Sequence, residues 1–270
     1  MSPNRPVNRI KTAISASHVQ MPQMGHDGVA GGVMANLVSN AVRFGMVSVL
    51  ALGMVLGSAL GGANPAAAET GPMGGQIVLA SLSDSVPSDK FVQPKLFGAD
   101  EQRYADLSAF TKWTGVMAKF KKEFPQSTDQ KHVRDWMKFI ASIKGKSKQA
   151  QVKAVNDYMN RIAFVSYDKN YGVSDYWATP MEFLARGGDC EDYAVAKYLS
   201  LRALGFSKEE MRLAIVYDHE MRMPHAVLVV YHDGEAHVLD NQSDKVRVSA
   251  ELTKRYKPIY SISQVAWWKH

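Results

Sequence analysis

From residue 102 to 164 the apolar positions recur at helical spacing. Phe110, Trp113, Met117 and Phe120 stand three and four residues apart, as do Val133, Trp136, Ile140 and Ile143. Ser127, Thr128 and Asp129 offer N-caps for the second run. A third run holds Val152, Val155, Met159 and Ile162. Three amphipathic helices are therefore expected, with the intervening lysines on solvated faces. A polar, aromatic-rich loop spans 165–180. Thr179-Pro180 opens a short helix with proline at its first position, which stops at Gly187-Gly188. Another helix runs from about Asp189 to Leu204 and ends at Gly205, with Ala194, Tyr198 and Leu201 as its buried stripe. Beyond it the period changes to two. Leu213–Tyr217, His225–Tyr231, Glu235–Asp240 and Ile259–Trp267 read as strands, and Asp233-Gly234 as the two-residue turn of a hairpin. Helices first and an antiparallel sheet afterwards define an α+β domain over 101–270.

The N-terminal pattern differs. Arg43 precedes an uncharged run, 44–60, followed by Gly61, Gly62, Pro65 and the small-residue site Ala66-Ala67-Ala68. That is the order of a secretory signal peptide, so 1–68 is expected to be a signal region cleaved after Ala68 and the protein to be periplasmic. Met34 as the start would give such a signal its conventional length. Residues 69–100, rich in Gly, Ser, Pro and Asp, are expected to form a linker or irregular arm.

Composition adds one exclusion. The net charge of +6 is spread unevenly. Residues 1–68 hold four basic residues and one acid, which leaves only +3 on the body. No concentrated basic patch with interleaved aromatics remains, which argues against nucleic-acid binding.

The chain has one cysteine. Exported proteins usually pair their cysteines, so an unpaired Cys190 is either buried and inert or used. It follows Gly187-Gly188-Asp189, in the first turn of a helix, where the helix dipole favours a thiolate. Against this, Asp189, Glu191 and Asp192 suppress ionisation by like charge. Either these acids cap the helix, solvated or paired with Arg186 and Lys197, or a hard divalent cation such as calcium neutralises them. For a base, the Asp233-Gly234 turn sets His232 opposite Glu235. In that register Asp240 falls opposite Val227, on the face shared by His225, so His225 and Asp240 are diagonal neighbours. Cys190 as nucleophile, His225 as base and Asp240 as its orienter make a set for acyl transfer. The backbone N–H of Cys190 would hold the oxyanion, with the indole N–H of Trp177 as a second candidate; Trp177 could equally be a core residue.

Asp175-Tyr176-Trp177-Ala178-Thr179-Pro180, with Glu182-Phe183-Leu184, leads into Gly187-Gly188-Asp189-Cys190-Glu191-Asp192-Tyr193-Ala194 and Lys197-Tyr198. Pro224-His225-Ala226-Val227-Leu228 and Val238-Leu239-Asp240-Asn241 continue the pattern. It resembles the bacterial transglutaminase-like cysteine proteinases, and among them the LapG-type periplasmic adhesin proteases. The resemblance covers about 100–268. It implies a papain/transglutaminase-like fold, with the Cys-bearing helix packed on an antiparallel sheet. It matches Cys190, His225 and Asp240 to a catalytic triad, and Asp189 and Glu191 to acids that bind an activating Ca2+. It also implies a substrate, a large surface adhesin cut near its N-terminus to release cells from a biofilm. The implied regulator is an inner-membrane receptor for cyclic di-GMP whose periplasmic domain sequesters the protease. A transglutaminase or amidase on the same fold, or an inactive periplasmic binding module, are the alternatives.

Overall fold

The computed structural model describes residues 93–173 and 175–270. The expected signal region, 1–68, and all but the end of the expected 69–100 arm lie outside the described residues. Three helices open the domain: α1 (Thr111–Ser127), α2 (Lys131–Ile143) and α3 (Lys148–Met159). Their apolar positions fall on the core as their spacing predicts: Trp113 and Phe120 on α1, Val133 and Trp136 on α2, Val152 and Val155 on α3 are all buried. Phe120, Phe124 and Trp136 meet edge to face or tilted, which locks α1 against α2. The expected cap at Ser127-Thr128-Asp129 is a correction. Ser127 is instead the last residue of α1, its hydroxyl donating back to the Glu123 carbonyl, and Gln130 precedes α2.

A short α4 (Tyr167–Tyr171) and α5 (Pro180–Arg186) lead to α6 (Cys190–Ala203). α5 begins as the sequence predicts: Thr179 caps it, Glu182 reaches back to the Thr179 N–H, and Pro180 takes the first position. α6 does not carry a single buried stripe. Every residue from Glu191 to Ala203 is buried, because helices cover one side of it and the sheet the other.

The sheet has seven antiparallel strands in the order β1-β7-β6-β2-β3-β4-β5. They are β1 (Gln102–Tyr104), β2 (Met211–Asp218), β3 (Met223–His232), β4 (Glu235–Leu239), β5 (Arg247–Val248), β6 (Tyr256–Ile262) and β7 (Trp267–Lys269). The β3–β4 register is the one the Asp233-Gly234 turn predicts, with His232 opposite Glu235 and Leu228 opposite Leu239. Both turn residues take positive φ, 52° and 75°, as a type I′ turn requires.

Ile259–Trp267 is not one strand but parts of two. Ser263 bends the chain between β6 and β7 by accepting the Val265 and Ala266 N–H groups on its hydroxyl. β1 lies where helix was expected; Tyr104 stacks on Trp267 at 4.5 Å, a contact that only the folded sheet creates. The sheet separates two cores. Ala226, Leu228 and Val230 face the helices. Val227, Val229 and Tyr231 face a smaller cluster with Leu96, Phe97, Leu252 and Tyr256. The end of the 69–100 arm therefore packs under the sheet, through Leu96 and Phe97. Among the described residues no helix is long and apolar enough to cross a membrane.

Gly187 and Gly188 let the chain turn into α6 while pressed against residues 163–165. Gly188 bonds to Ala163 and Val165, and Gly187 sits at φ 78°. A Cβ on Gly188 would stand 2.3 Å from Asp192 Oδ2, and one on Gly187 2.3 Å from the Ala163 carbonyl. Gly188→Ala is expected to destabilise the domain by about 1–3 kcal/mol, the usual cost of overpacking. It should also displace the start of α6. Thermal unfolding beside an exposed-glycine control, Gly145→Ala, checks this; equal melting temperatures would refute it.

Candidate active site

Cys190 is the first residue of α6 and is half-buried. Its helix start is built by Asp192, whose Oδ2 accepts the Asp189 N–H at 3.2 Å and whose Oδ1 accepts the Ala178 N–H at 2.6 Å. Asp192 is thus a cap and a staple. It ties the Trp177-Ala178 loop to the cysteine's helix, and burial holds its carboxyl up, at about 7, against those two donors. Trp177 itself is half-buried, edge-on to Trp113 at 6.5 Å.

Asp189 and Glu191 are different. Asp189 is buried, takes one backbone N–H from Tyr167, and leaves Oδ1 without a partner. Burial and the neighbouring Glu191 and Asp192 charges push its carboxyl up to about 10. Glu191 accepts the Cys190 thiol proton on Oε2, at 2.9 Å from Sγ. Burial, then the Glu191 and Asp189 charges, hold the Cys190 thiol well above its usual range, with only the Ala226 N–H opposing. Neither suggested counter-ion pairs with these acids. Arg186 lies over the Tyr171 ring, and Lys197 is sealed inside the protein. Lys112 is the cation that feels Glu191, and it is already paired with Asp175.

The base pair forms as the hairpin register predicts. His225 Nε2 lies 3.0 Å from Asp240 Oδ1, and both side chains are buried. Alternation along β3 puts His225 on the face of Val227, away from the helices. The Ala226 N–H, in the peptide next to His225, donates to Cys190 Sγ. Since Nε2 is committed to Asp240, Nδ1 is the imidazole nitrogen left for the thiol. Burial opposes ionisation of Asp240. His225 and donors from Tyr256 and Gln242 overcome it and hold the carboxyl well below the usual carboxylate range. Of the other histidines, His219 is exposed as expected, whereas His232 is buried and stacked on His237 at 3.9 Å.

Tyr256 is the residue that the sequence reading misses. Its hydroxyl donates to Asp240 Oδ2 at 2.5 Å from β6. Beside it Arg255 bridges buried Asp218 to Gln242, at 2.9 and 2.6 Å, and so braces the loop after β4. No spacing rule links position 256 to 240; only the sheet order brings them together.

This arrangement, a cysteine at a buried helix start and a His–Asp pair on the adjoining strands, is that of a papain- or transglutaminase-like thiol enzyme. Residues 119–270 match the family model described as bacterial transglutaminase-like cysteine proteinase, and the chain belongs to that family. Among solved structures, LapG from Legionella pneumophila is 32% identical, over 52% of this chain and 78% of that one, with a TM-score of 0.47. The calcium-bound form of that LapG is 29% identical, over 58% of this chain and 86% of that one, at the same TM-score. No protein of curated function matches the sequence.

Tyr256→Phe removes one hydrogen bond to a buried carboxylate and leaves the ring. It is expected to lower kcat about 10- to 100-fold, the equivalent of about 1.5–3 kcal/mol for a bond to a charged group. KM should not change. Steady-state kinetics on a peptide substrate checks this, and an unchanged kcat would show that His225 and the Gln242 N–H fix Asp240 without Tyr256.

Proposed function

We propose that this chain is a periplasmic, calcium-dependent cysteine endopeptidase with Cys190 as nucleophile, His225 as general base and Asp240 as its orienter. The observation that carries the reading is the 3.0 Å His225–Asp240 pair, set beside a cysteine that opens a buried helix. The Cys190 thiol gives its proton to His225 Nδ1, and Sγ attacks the scissile carbonyl carbon. The oxyanion is met by the Cys190 N–H, with the Trp177 indole N–H as the second candidate donor. Imidazolium His225 then protonates the leaving amine, and the C–N bond breaks to leave a thioester. His225 next takes a proton from water, whose oxygen attacks the thioester, and the acid leaves as Sγ recovers its proton. Asp240 keeps Nε2 protonated throughout and stabilises the imidazolium.

The residues fit calcium. The donors are hard oxygens, Asp189 Oδ1 is buried and unpaired, and the two acids repel one another. Asp189 and Glu191 would hold the ion. Among the described residues no ready cluster of three or more acidic, histidine or cysteine donors forms, so backbone carbonyls or water would complete the shell. Bound there, the ion supplies the positive charge that lowers the cost of a Cys190 thiolate. The calcium-bound LapG is an observation on that protein; in this chain the support is the unpaired Asp189 and family membership.

Family membership and the signal-like N-terminus support the wider reading. The substrate is a large surface adhesin cut near its N-terminus, which frees cells from a biofilm. The regulator is an inner-membrane cyclic di-GMP receptor whose periplasmic domain binds the protease.

Cleavage of an adhesin N-terminal fragment tests the reading with wild type, Cys190→Ala, and wild type treated with EGTA and then resupplied with calcium. Both Cys190→Ala and EGTA should abolish cleavage, and calcium should restore it. Cleavage by Cys190→Ala would overturn the nucleophile assignment. Indifference to EGTA would remove calcium alone. A labelled amine joined to the fragment in place of cleavage would make the enzyme a transglutaminase.

A further inference from the structure

The nucleophile's helix carries a second ionisable group that the reaction above does not use. Lys197 is 0% exposed, and its Nζ has no hydrogen-bond partner. Seven residues from Cys190 is nearly two helical turns, so both side chains leave the same side of α6, roughly 10 Å apart along its axis. The amine sits 5.7 Å from the Tyr193 ring and in the field of Asp240 and Asp244. Those two acids bound the loop after β4. The same loop is held from α3, where Asn160 Nδ2 donates to the Asp240 carbonyl at 2.9 Å and Asn156 Nδ2 to the Ser243 carbonyl at 2.9 Å. The seam formed by α3, α6 and this loop also leaves Asn156 Oδ1, Asn160 Oδ1 and Asn241 Oδ1 buried and unpaired.

A buried amine without a direct partner costs stability, and an uncharged methionine, one heavy atom shorter, would not. We propose that Lys197 is a positioning residue, a buried cation set against the Asp240–Asp244 loop that balances the charge of the reacting groups. The proposal rests on the Cys190–His225–Asp240 reading. Before and after the thiol proton moves to His225, the triad of Cys190, His225 and Asp240 carries one net negative charge in a water-poor interior; the transfer separates charge without changing that sum. A positive Lys197 on the same helix cancels it. Lys197 gives up no proton in any step and touches no substrate. Burial draws its ammonium down to about 7, and the Asp240 and Asp244 carboxylates oppose that pull.

The test is Lys197→Met, with Lys197→Gln to keep polarity without charge. Three quantities are read: melting temperature, kcat and KM for adhesin cleavage, and the rate at which iodoacetamide alkylates Cys190. Lys197→Met should melt no lower than wild type, yet lose at least about tenfold in kcat at unchanged KM, within the range that preorganised charge contributes. Alkylation should slow in parallel, and Lys197→Gln should behave the same way. Wild-type rates in Lys197→Met would overturn the proposal. So would a variant that unfolds or melts lower, since Lys197 would then be a stabilising core residue. If wild type cleaves no adhesin, the proposed function fails, while slowed or unchanged alkylation still decides the role of Lys197.

Discussion

The domain depends on one helix being buried on all sides. From Glu191 to Ala203 no residue of α6 reaches solvent to any extent, and its first residue is the cysteine. A helix that can neither slide nor roll fixes everything attached to it, because protein interiors are packed as tightly as crystals. Cys190 is held at one end, Tyr193 and Lys197 along its length, and Asp192 locks the Trp177-Ala178 loop to its start. The glycines before it follow from the same constraint. The chain enters α6 with Ala163 on one side and Asp192 on the other, and neither leaves room for a side chain.

Three acids stand together at that helix start, but the structure divides their work. Asp192 spends both oxygens on backbone N–H groups, the ordinary business of a cap. Asp189 and Glu191 are left to each other, with the buried Asp189 carboxyl pushed up to about 10 beside Glu191. The helix dipole favours a thiolate at Cys190, but burial, then Glu191 and Asp189, outweigh it. Sγ lies 2.9 Å from Glu191 Oε2, a contact that the neutral thiol makes as donor. The same cluster that suppresses the nucleophile is the one whose chemistry suits a hard cation.

Much of this was legible in the chain. The Asp233-Gly234 turn fixed the hairpin register, and the register alone placed His225 beside Asp240, because side chains in a strand alternate with a strict period of two. Thr179-Pro180-Met181-Glu182 announced its helix start with equal clarity. What stayed hidden depends on contacts between distant segments. Tyr256 reaches Asp240 only because β6 and β4 belong to one sheet, separated by β2 and β3. β1 exists only because β7 offers an edge to pair with. Ser263 reads as one more strand residue until its hydroxyl is seen to gather the turn. Lys197 was legible as a residue but not as a buried one, since a helix enclosed on every side carries no amphipathic stripe to mark what is inside.

The sheet also places Cys190 and His225 on different sides of β3. His225 and Asp240 belong to the face that looks away from the helices, toward Tyr256 and the Phe97 cluster, while Cys190 arrives from the helical side. The β3–β4 ladder stops at Leu228 and Leu239, so the strand at His225 and Ala226 has no β4 neighbour on that side. The Ala226 N–H then lies against sulfur, and Asp240 is free to curl onto the imidazole. A longer β4 would pair those backbone groups and close the opening. The early end of one strand is therefore as much a part of the site as the side chains, and it explains why the orienting acid sits one residue past the last rung.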